Sequence, residues 1–346
     1  MECKILSIDG GGTKGVLPAK ILDCLEQDLG KPALEWFNLL AGTSTGGVIC
    51  LGLACGLKAA QLVDLYLKES SQIFHEPLLD RLSGLDEHLN ANYQHKNFRK
   101  ILTRHFGELT LGDLHRQKGL GKKKKEVMIC SFDLNPEVEA DRNRNYRPAI
   151  FHSTFRRDQD EKLVDIALRT TAAPTYFPIY QKKYIDGGVA MNNPAMAAIA
   201  YAMNDSRATG VEKGQYLANG YKGLKVKREK IKVLSLGTGS SNLNRIEPEE
   251  IKQGNWGNIQ WIKHLPQLMT ESNIQSTIYY ARHVLPDQHF LRIDPSFDNL
   301  HVSNPALADR PIPLDTTDPV ALDAMVNMAE KIYELNRENI LKFLGI

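Results

Sequence analysis

The sequence has almost no excess of one charge. Across 346 residues, 43 Lys and Arg face 41 Asp and Glu, a formal net charge of +2. So balanced a chain has no global field to gather a nucleic-acid polymer, which excludes binding of that kind by bulk charge. Cysteine is scarce: Cys3, Cys24, Cys50, Cys55 and Cys130, five residues, all lie in the first 130 positions. The number is odd and no pair has the C-x-x-C spacing of a zinc or redox site, which points to free thiols in a reducing compartment. The N-terminal MECKILSIDG lacks the basic head and apolar stretch of a secretory signal. Uninterrupted apolar runs of membrane length are lacking as well. Trp36 to Leu57 is uncharged over 22 residues, but Asn38, several glycines and a central GTSTGG make it a buried strand, turn and helix rather than a spanning segment. The expectation is a cytoplasmic protein that is not integral to a membrane.

What is present is an ordinary globular composition, 42% hydrophobic and 24% charged, which excludes disordered, collagenous and coiled-coil chains. Short apolar runs at Lys4–Ile8, Trp36–Ala41, Glu126–Asp133, Ala149–Ser153, Tyr184–Ile185 and Ile231–Leu236 read as strands. Helical periodicity covers Leu17–Leu29, Ala59–Phe74, Asn97–His105, Leu163–Thr170, Pro194–Met203 and Pro319–Leu344. Pro295 to Pro319 reads as loop. Strands separated by helices predict an α/β layered fold with a mostly parallel sheet, whose chemistry gathers at the carboxyl ends of the strands. The whole of 1–346 is expected to form one domain, with the chemical motifs within 4–203 and the remainder completing the fold.

Three strand ends carry glycine-rich turns. Gly42-Thr43-Ser44-Thr45-Gly46 fits G-x-S-x-G with a strand before it and a small-residue helix after it. That context lifts the Ser44 hydroxyl above the sheet at a helix N-terminus, where a nucleophile is exposed and developing negative charge is stabilised. A base is needed, and none of the ten histidines follows a clear strand end; His105, His115, His152, His264, His283 and His289 sit in helical, loop or turnless contexts. Asp186 does end a strand, before Gly187 and Gly188, and could serve as sole base if it stood about 3 Å from Ser44 in a dry site. The bland alternative is an ordinary Asp-Gly turn. The first turn, Gly10-Gly11-Gly12 followed by Thr13, Lys14 and Gly15, opens a helix with consecutive N–H groups that suit an oxyanion or a phosphate.

Taken in order, DGGGTKG at Asp9–Gly15, GTSTG at Gly42–Gly46, AAPTYFP at Ala172–Pro178, DGG at Asp186–Gly188 and NNP at Asn192–Pro194 resemble the patatin-like phospholipase family. The match covers about residues 4–203 and the Ile231–Gly239 strand and loop. The resemblance implies a three-layer α/β fold and hydrolysis of lipid acyl esters by a Ser-Asp dyad. Ser44 would be the nucleophile and Asp186 the base, with Gly10, Gly11 and Gly12 bordering the oxyanion hole and Gly42, Gly46, Gly187 and Gly188 supporting the turns. It implies no metal and no organic cofactor. The family usually has Arg where this chain has Lys14, and the two are not interchangeable in bidentate contacts.

Two other readings stay open. The Asp9–Lys14 loop also resembles the first phosphate loop of actin-like sugar kinases, with Gly237-Thr238-Gly239 as part of a second; that reading leaves the Ser44 turn unexplained. A catalytically silent, nucleotide-sensing protein is the other. Some bacterial relatives in the family resemble antiphage effectors switched on by cyclic oligonucleotides, and the basic Lys225, Lys227, Arg228 and Lys230 are candidates for phosphate contacts. The expected partners are a phospholipid surface, met transiently and peripherally, a cyclic oligonucleotide activator and a second copy in a homo-oligomer. The lysine turn Lys122–Lys125 could touch anionic lipid or be a plain solvated loop. Leu62–Phe74 and Leu78–Leu89 are candidates for a lid or docking face.

Overall fold

Strand β1, Cys3–Ile8, is buried along nearly its whole length, as a central parallel strand with helices on both faces must be. In the computed structural model, which describes residues 2–74, 91–116, 125–134, 146–204, 223–240, 246–298, 307 and 312–346, six further strands join it. They are β2 (Leu39–Thr43), β3 (Glu126–Asp133), β4 (Arg147–His152), β5 (Tyr184–Asp186), β6 (Ile231–Leu236) and β7 (Phe290–Ile293). The order is β4-β3-β2-β1-β6-β7, with β5 added on β3. β1 pairs in parallel with β2 and β6, β2 with β3, and β6 with β7, whereas β4 and β5 run antiparallel to β3. The expected mostly parallel α/β sheet is therefore present.

The helices are α1 (Val16–Leu29), α2 (Thr45–Ala54), α3 (Ala59–Asp64), α4 (Ser70–Ile73), α5 (His95–Phe106), α6 (Leu111–Arg116), α7 (Leu163–Thr170), α8 (Gly188–Met191), α9 (Ala195–Met203), α10 (Pro248–Gln253), α11 (Asn258–Val284) and α12 (Pro319–Leu344). Successive strand side chains point to opposite faces, and this alternation sorts the core. Leu6, Ile8, Leu40, Ile129 and Leu234 join α1, α2, α5, α7 and α12. Ile5, Leu39, Ala41, Met128 and Val233 join α9 and the C-terminal half of α11. The five cysteines are free, with Cys3, Cys50 and Cys130 buried and Cys24 and Cys55 half-buried.

The strands Glu126–Asp133 and Ile231–Leu236 and the helices Leu163–Thr170 and Pro319–Leu344 lie where the periodicity puts them. The Trp36–Leu57 stretch is strand, turn and helix, and no helix among the described residues is long and apolar enough to cross a membrane. Ala59–Phe74 is broken: a wide π turn at Leu65–Glu69 separates α3 from α4. The segment Leu78–Leu89 and Lys122–Lys124 lie outside the described residues. The remaining member of the lysine turn, Lys125, donates to the Glu35 carbonyl at 3.0 Å.

One strand sets the geometry of the site. β3 pairs with β2 over its first half, ending at Thr43 opposite Cys130. Along the next residues of the same edge it pairs with β5, with Asp186 opposite Ser131. β2 runs parallel to β3 and β5 antiparallel, so their carboxyl ends meet head to head over two successive residues of β3. The chain leaving β2 is Ser44, and the residue ending β5 is Asp186.

Candidate active site

Ser44 sits between β2 and α2 with φ 53° and ψ −124°, a left-handed conformation that a non-glycine residue keeps only where the surroundings enforce it. The enforcement is local. A Cβ on Gly42 would strike the Gly46 carbonyl, so the turn closes this tightly only with glycine at its flank. The Ser44 N–H donates to Thr170 Oγ1 at 2.7 Å, at the end of α7, and the Thr170 hydroxyl donates in turn to the Cys130 carbonyl. The Ser44 carbonyl accepts from the Val48 N–H at 3.1 Å and starts α2.

The Ser44 hydroxyl donates to Asp186 Oδ2 at 2.6 Å. The other carboxylate oxygen, Oδ1, accepts from the Gly188 N–H at 2.7 Å, and the Asp186 N–H donates to the Ala172 carbonyl at 2.9 Å. Asp186 is only 6% exposed. Burial raises its pKa to about 6, against the pull of the Ser44 and Gly188 hydrogen bonds. A carboxylate made this basic by desolvation, on a buried hydroxyl, has the geometry and the basicity of a general base.

Gly10, Gly11 and Gly12 line the same cavity as Ser44 and Asp186. Their amides are not equivalent, and here the sequence-based expectation needs correction. The Gly10 N–H is already donated to the Asn192 carbonyl at 3.1 Å, so Gly10 borders the site without a free donor. Among the described residues neither the Gly11 nor the Gly12 N–H donates to a backbone acceptor outside its own helix, which leaves both facing the cavity for a bound group. Gly12 has φ 60°, with the Leu314 carbonyl where a side chain would begin. The loop is tied down from outside: Thr238 Oγ1 donates to the Gly10 carbonyl at 2.7 Å, Asn192 Nδ2 to the same carbonyl at 3.2 Å, and the Thr13 N–H to the Leu314 carbonyl at 2.7 Å.

Lys14 does not take the place of a carboxylate-binding Arg. It is buried with its Nζ 5.3 Å from the centre of the Phe297 ring, and burial lowers its pKa to about 8. A different arginine, which the motif reading missed, supports the loop. Arg292 on β7 donates through Nη2 to Asp9 Oδ2 at 2.7 Å and to Asp294 Oδ2 at 2.8 Å, and through Nη1 to Ser235 Oγ at 2.9 Å. Burial alone would lower the Arg292 pKa, but the two carboxylates outweigh it and raise it. The only hint in the sequence was a lone cation inside the apolar Phe290–Ile293. Thr170 and Thr238 were likewise missed, since a hydroxyl that caps a turn from another element leaves no local pattern.

The cavity above the Ser44–Asp186 pair encloses about 430 Å³. Its walls are mostly apolar, among them Val48, Leu65, Ile73, Phe74, Phe98 and Phe177, with Pro266 and Met269 of α11 at one side. Among the described residues no histidine lines it. A long aliphatic group fits such a lining far better than a sugar or a nucleotide. His152 lies elsewhere, fully buried beside Phe155 and Tyr201, with its pKa lowered by burial to about 3. Among the described residues no group of three or more His, Cys, Asp and Glu side chains is arranged to hold a metal ion.

The profile of the family described as patatin-like phospholipase matches residues 6–199. Patatin-like protein 2 of Arabidopsis thaliana is 31% identical over 292 residues, which cover 75% of this chain and 65% of that protein. A cGAMP-activated phospholipase of Pseudomonas aeruginosa is 34% identical over 197 residues, covering 56% of this chain and 54% of that protein. The alignments thus span less than two thirds of these relatives' own length. Among solved structures, human GIVD cytosolic phospholipase A2 superposes with a TM-score of 0.45 at 12% identity, covering 99% of this chain and 60% of that one.

Proposed function

The chain belongs to the patatin-like phospholipase family, and from that premise we propose that it is an A-type phospholipase working through a Ser44–Asp186 dyad. The observation that carries the proposal is the 2.6 Å hydrogen bond from Ser44 Oγ to Asp186 Oδ2 at the base of an apolar cavity. In the first half-reaction Asp186 Oδ2 takes the Ser44 proton as Oγ attacks the ester carbonyl. The Gly11 and Gly12 N–H groups receive the oxyanion, a contribution on the order of 3–4 kcal/mol per donor. The tetrahedral intermediate collapses by breaking the ester C–O bond, and the departing lysophospholipid oxygen takes the proton from Asp186. In the second half-reaction Asp186 accepts a proton from water as it attacks the acyl-Ser44 carbonyl, and Ser44 recovers its proton when the fatty acid leaves. The fatty acyl chain would occupy the cavity walls named above. The membrane would be met peripherally from the cytoplasm.

The test is fatty-acid release from a mixed phospholipid extract by the intact chain, by Ser44→Ala and by Asp186→Asn. Release that both substitutions abolish supports the dyad. No release by the folded wild type under any condition returns the silent, binding-only reading. Family membership and the lipid-like cavity leave the sugar-kinase alternative without support, and Gly237-Thr238-Gly239 is occupied in bracing Gly10.

Similarity to a cGAMP-activated phospholipase supports a second element of the reading, a switch thrown by a cyclic oligonucleotide. Lys227, Arg228 and Lys230 are exposed and close in sequence, which suits phosphate contacts. The same release assay with a panel of cyclic di- and trinucleotides checks this; activity unchanged by every member removes the switch and leaves the hydrolase.

A further inference from the structure

The N-terminal half of α11 is exposed along most of its described residues. From Asn273 onward the helix is anchored: Asn273 Oδ1 accepts from the Asn192 N–H at 2.7 Å, Thr277 is buried, and Ala281 reaches the core. Before that point five apolar side chains face out. Trp261 is 44% exposed, Ile262 66%, Leu265 43%, Leu268 39% and Met269 46%. At about 100° per residue these five fall within an arc of about 120°, a single stripe. An apolar stripe of this kind, left open to water, marks an interaction surface.

We infer that this stripe is the surface by which the protein docks on a phospholipid bilayer, laying the first half of α11 in the headgroup layer. The inference rests on the hydrolase reading of the same site. Three observations choose lipid over a protein partner. The stripe is continuous with the cavity, because Met269 belongs to both and Pro266 and Thr270 form the cavity wall on the adjoining face of the helix. A protein seated there would sit at the entrance that a substrate must use, whereas a bilayer would deliver acyl chains directly into it. The exposed half of the helix carries no acidic side chain of its own: Asn258 to Thr270 contains Lys263 and no Asp or Glu, with Glu250 and Glu271 just outside it, so nothing on the stripe repels an anionic surface. Two of the three tryptophans, Trp256 and Trp261, lie just before and within this stretch with ring centres 5.0 Å apart, and Trp favours the boundary between water and hydrocarbon.

The test reads docking apart from turnover. Full-length Ser44→Ala is mixed with vesicles of phosphatidylethanolamine and phosphatidylglycerol. Tryptophan emission is expected to shift to the blue and the protein to co-sediment. Ile262→Asp with Leu265→Asp, both on the stripe and outside the cavity, is expected to remove the shift and weaken binding about tenfold or more. With Ser44 intact, the same double substitution should lower fatty-acid release from these vesicles by a similar factor. Hydrolysis of p-nitrophenyl butyrate, a soluble ester that needs no docking, should stay within about twofold, since the substituted residues touch neither the cavity nor the dyad. Vesicle binding unchanged by the double substitution overturns the docking surface. So does a dimer in sedimentation that the double substitution dissociates, because the stripe would then meet a second copy. If the hydrolase reading is what fails, both esters stay intact in the Ser44 protein while Ser44→Ala still binds vesicles.

Discussion

A carboxylate that acts alone as a base must be basic enough to take a hydroxyl proton, and Asp186 gains that basicity at the expense of stability. Its pKa is raised to about 6 by burial, so the folded state holds a proton between about pH 4 and 6 that the unfolded chain has released. The sign follows: stability falls as pH rises through this window, and the cost is fully present above pH 6, at about 3 kcal/mol for about two units. Asp186→Asn is therefore expected to abolish ester hydrolysis and to raise denaturant stability by about 1–3 kcal/mol at neutral pH. That gain should vanish below about pH 4, where both states of the wild type are protonated. Denaturant melts at several pH values check it, and a gain that persists at low pH would assign the effect to packing. Wild-type hydrolysis should rise with pH with a midpoint near 6, read from the pH profile of kcat/KM. Arg292 presents the opposite case. Burial already raises the Asp9 pKa to about 7 with Arg292 beside it, so replacing Arg292 with Leu leaves Asp9 to take up a proton and should cost about 1–3 kcal/mol in lost hydrogen bonds. With Asp9 at the head of the glycine loop, hydrolysis should fall as well, even at temperatures where the variant is folded; circular dichroism alongside the esterase assay separates the two effects.

Between elements, the geometry of the dyad is set by β3, which holds the carboxyl ends of β2 and β5 at Cys130 and Ser131. α7 contributes through Thr170, the acceptor for the buried Ser44 N–H. Thr170→Val keeps the shape but strands that donor, a loss of about 1–3 kcal/mol. Hydrolysis should drop with it, and Thr170→Ser should recover most of both; equal activity in the Val variant would show that the elbow holds without its brace. Much of this arrangement was legible in the sequence. The strand, glycine turn and helix around Ser44 are local in the chain, and so are the Asp186-Gly187-Gly188 turn and the loop at Gly10–Gly12. Harder to read was everything carried by pairing between distant segments. The antiparallel entry of β5 onto β3, the capture of the Gly10 N–H by the Asn192 carbonyl, and the Arg292–Asp9 pair join residues that lie from 51 (Asp133 and Tyr184) to 283 (Asp9 and Arg292) positions apart. Hydrophobic periodicity reports which face of an element is buried, never which partner it meets. α11 escaped for a different reason: its apolar residues recur at helical spacing, but Pro266 stands among them and reads as a break in a helix.

At the scale of the molecule, the motifs and the framework do not coincide. The family profile ends at residue 199, yet β1, which carries the glycine loop, pairs along all six of its residues with β6 at Ile231–Leu236. β7 then supplies Arg292, and α12 packs Leu322, Met325, Ala329, Phe343 and Leu344 into the core shared with α1 and α2. Asp28 of α1 accepts from the Tyr333 hydroxyl of α12 at 2.7 Å. A fragment of residues 1–204 would keep Ser44, Asp186 and all three glycine turns. It would also expose one edge of β1 and the faces that α12 covers, far more apolar surface than a marginally stable domain can lose. The fragment is expected to melt without a cooperative transition, to bind the dye ANS and to hydrolyse no ester, whereas the full chain melts as one unit. A cooperative, active 1–204 fragment would instead make the C-terminal third a separate module and would refute the proposal that 1–346 folds as a single domain. The comparison decides whether the chemistry can be moved as a motif or only as the whole sheet: the Ser44–Asp186 pair is held by β2, β3 and β5, the glycine loop by β1, β6 and β7, and neither set of strands is continuous in the chain.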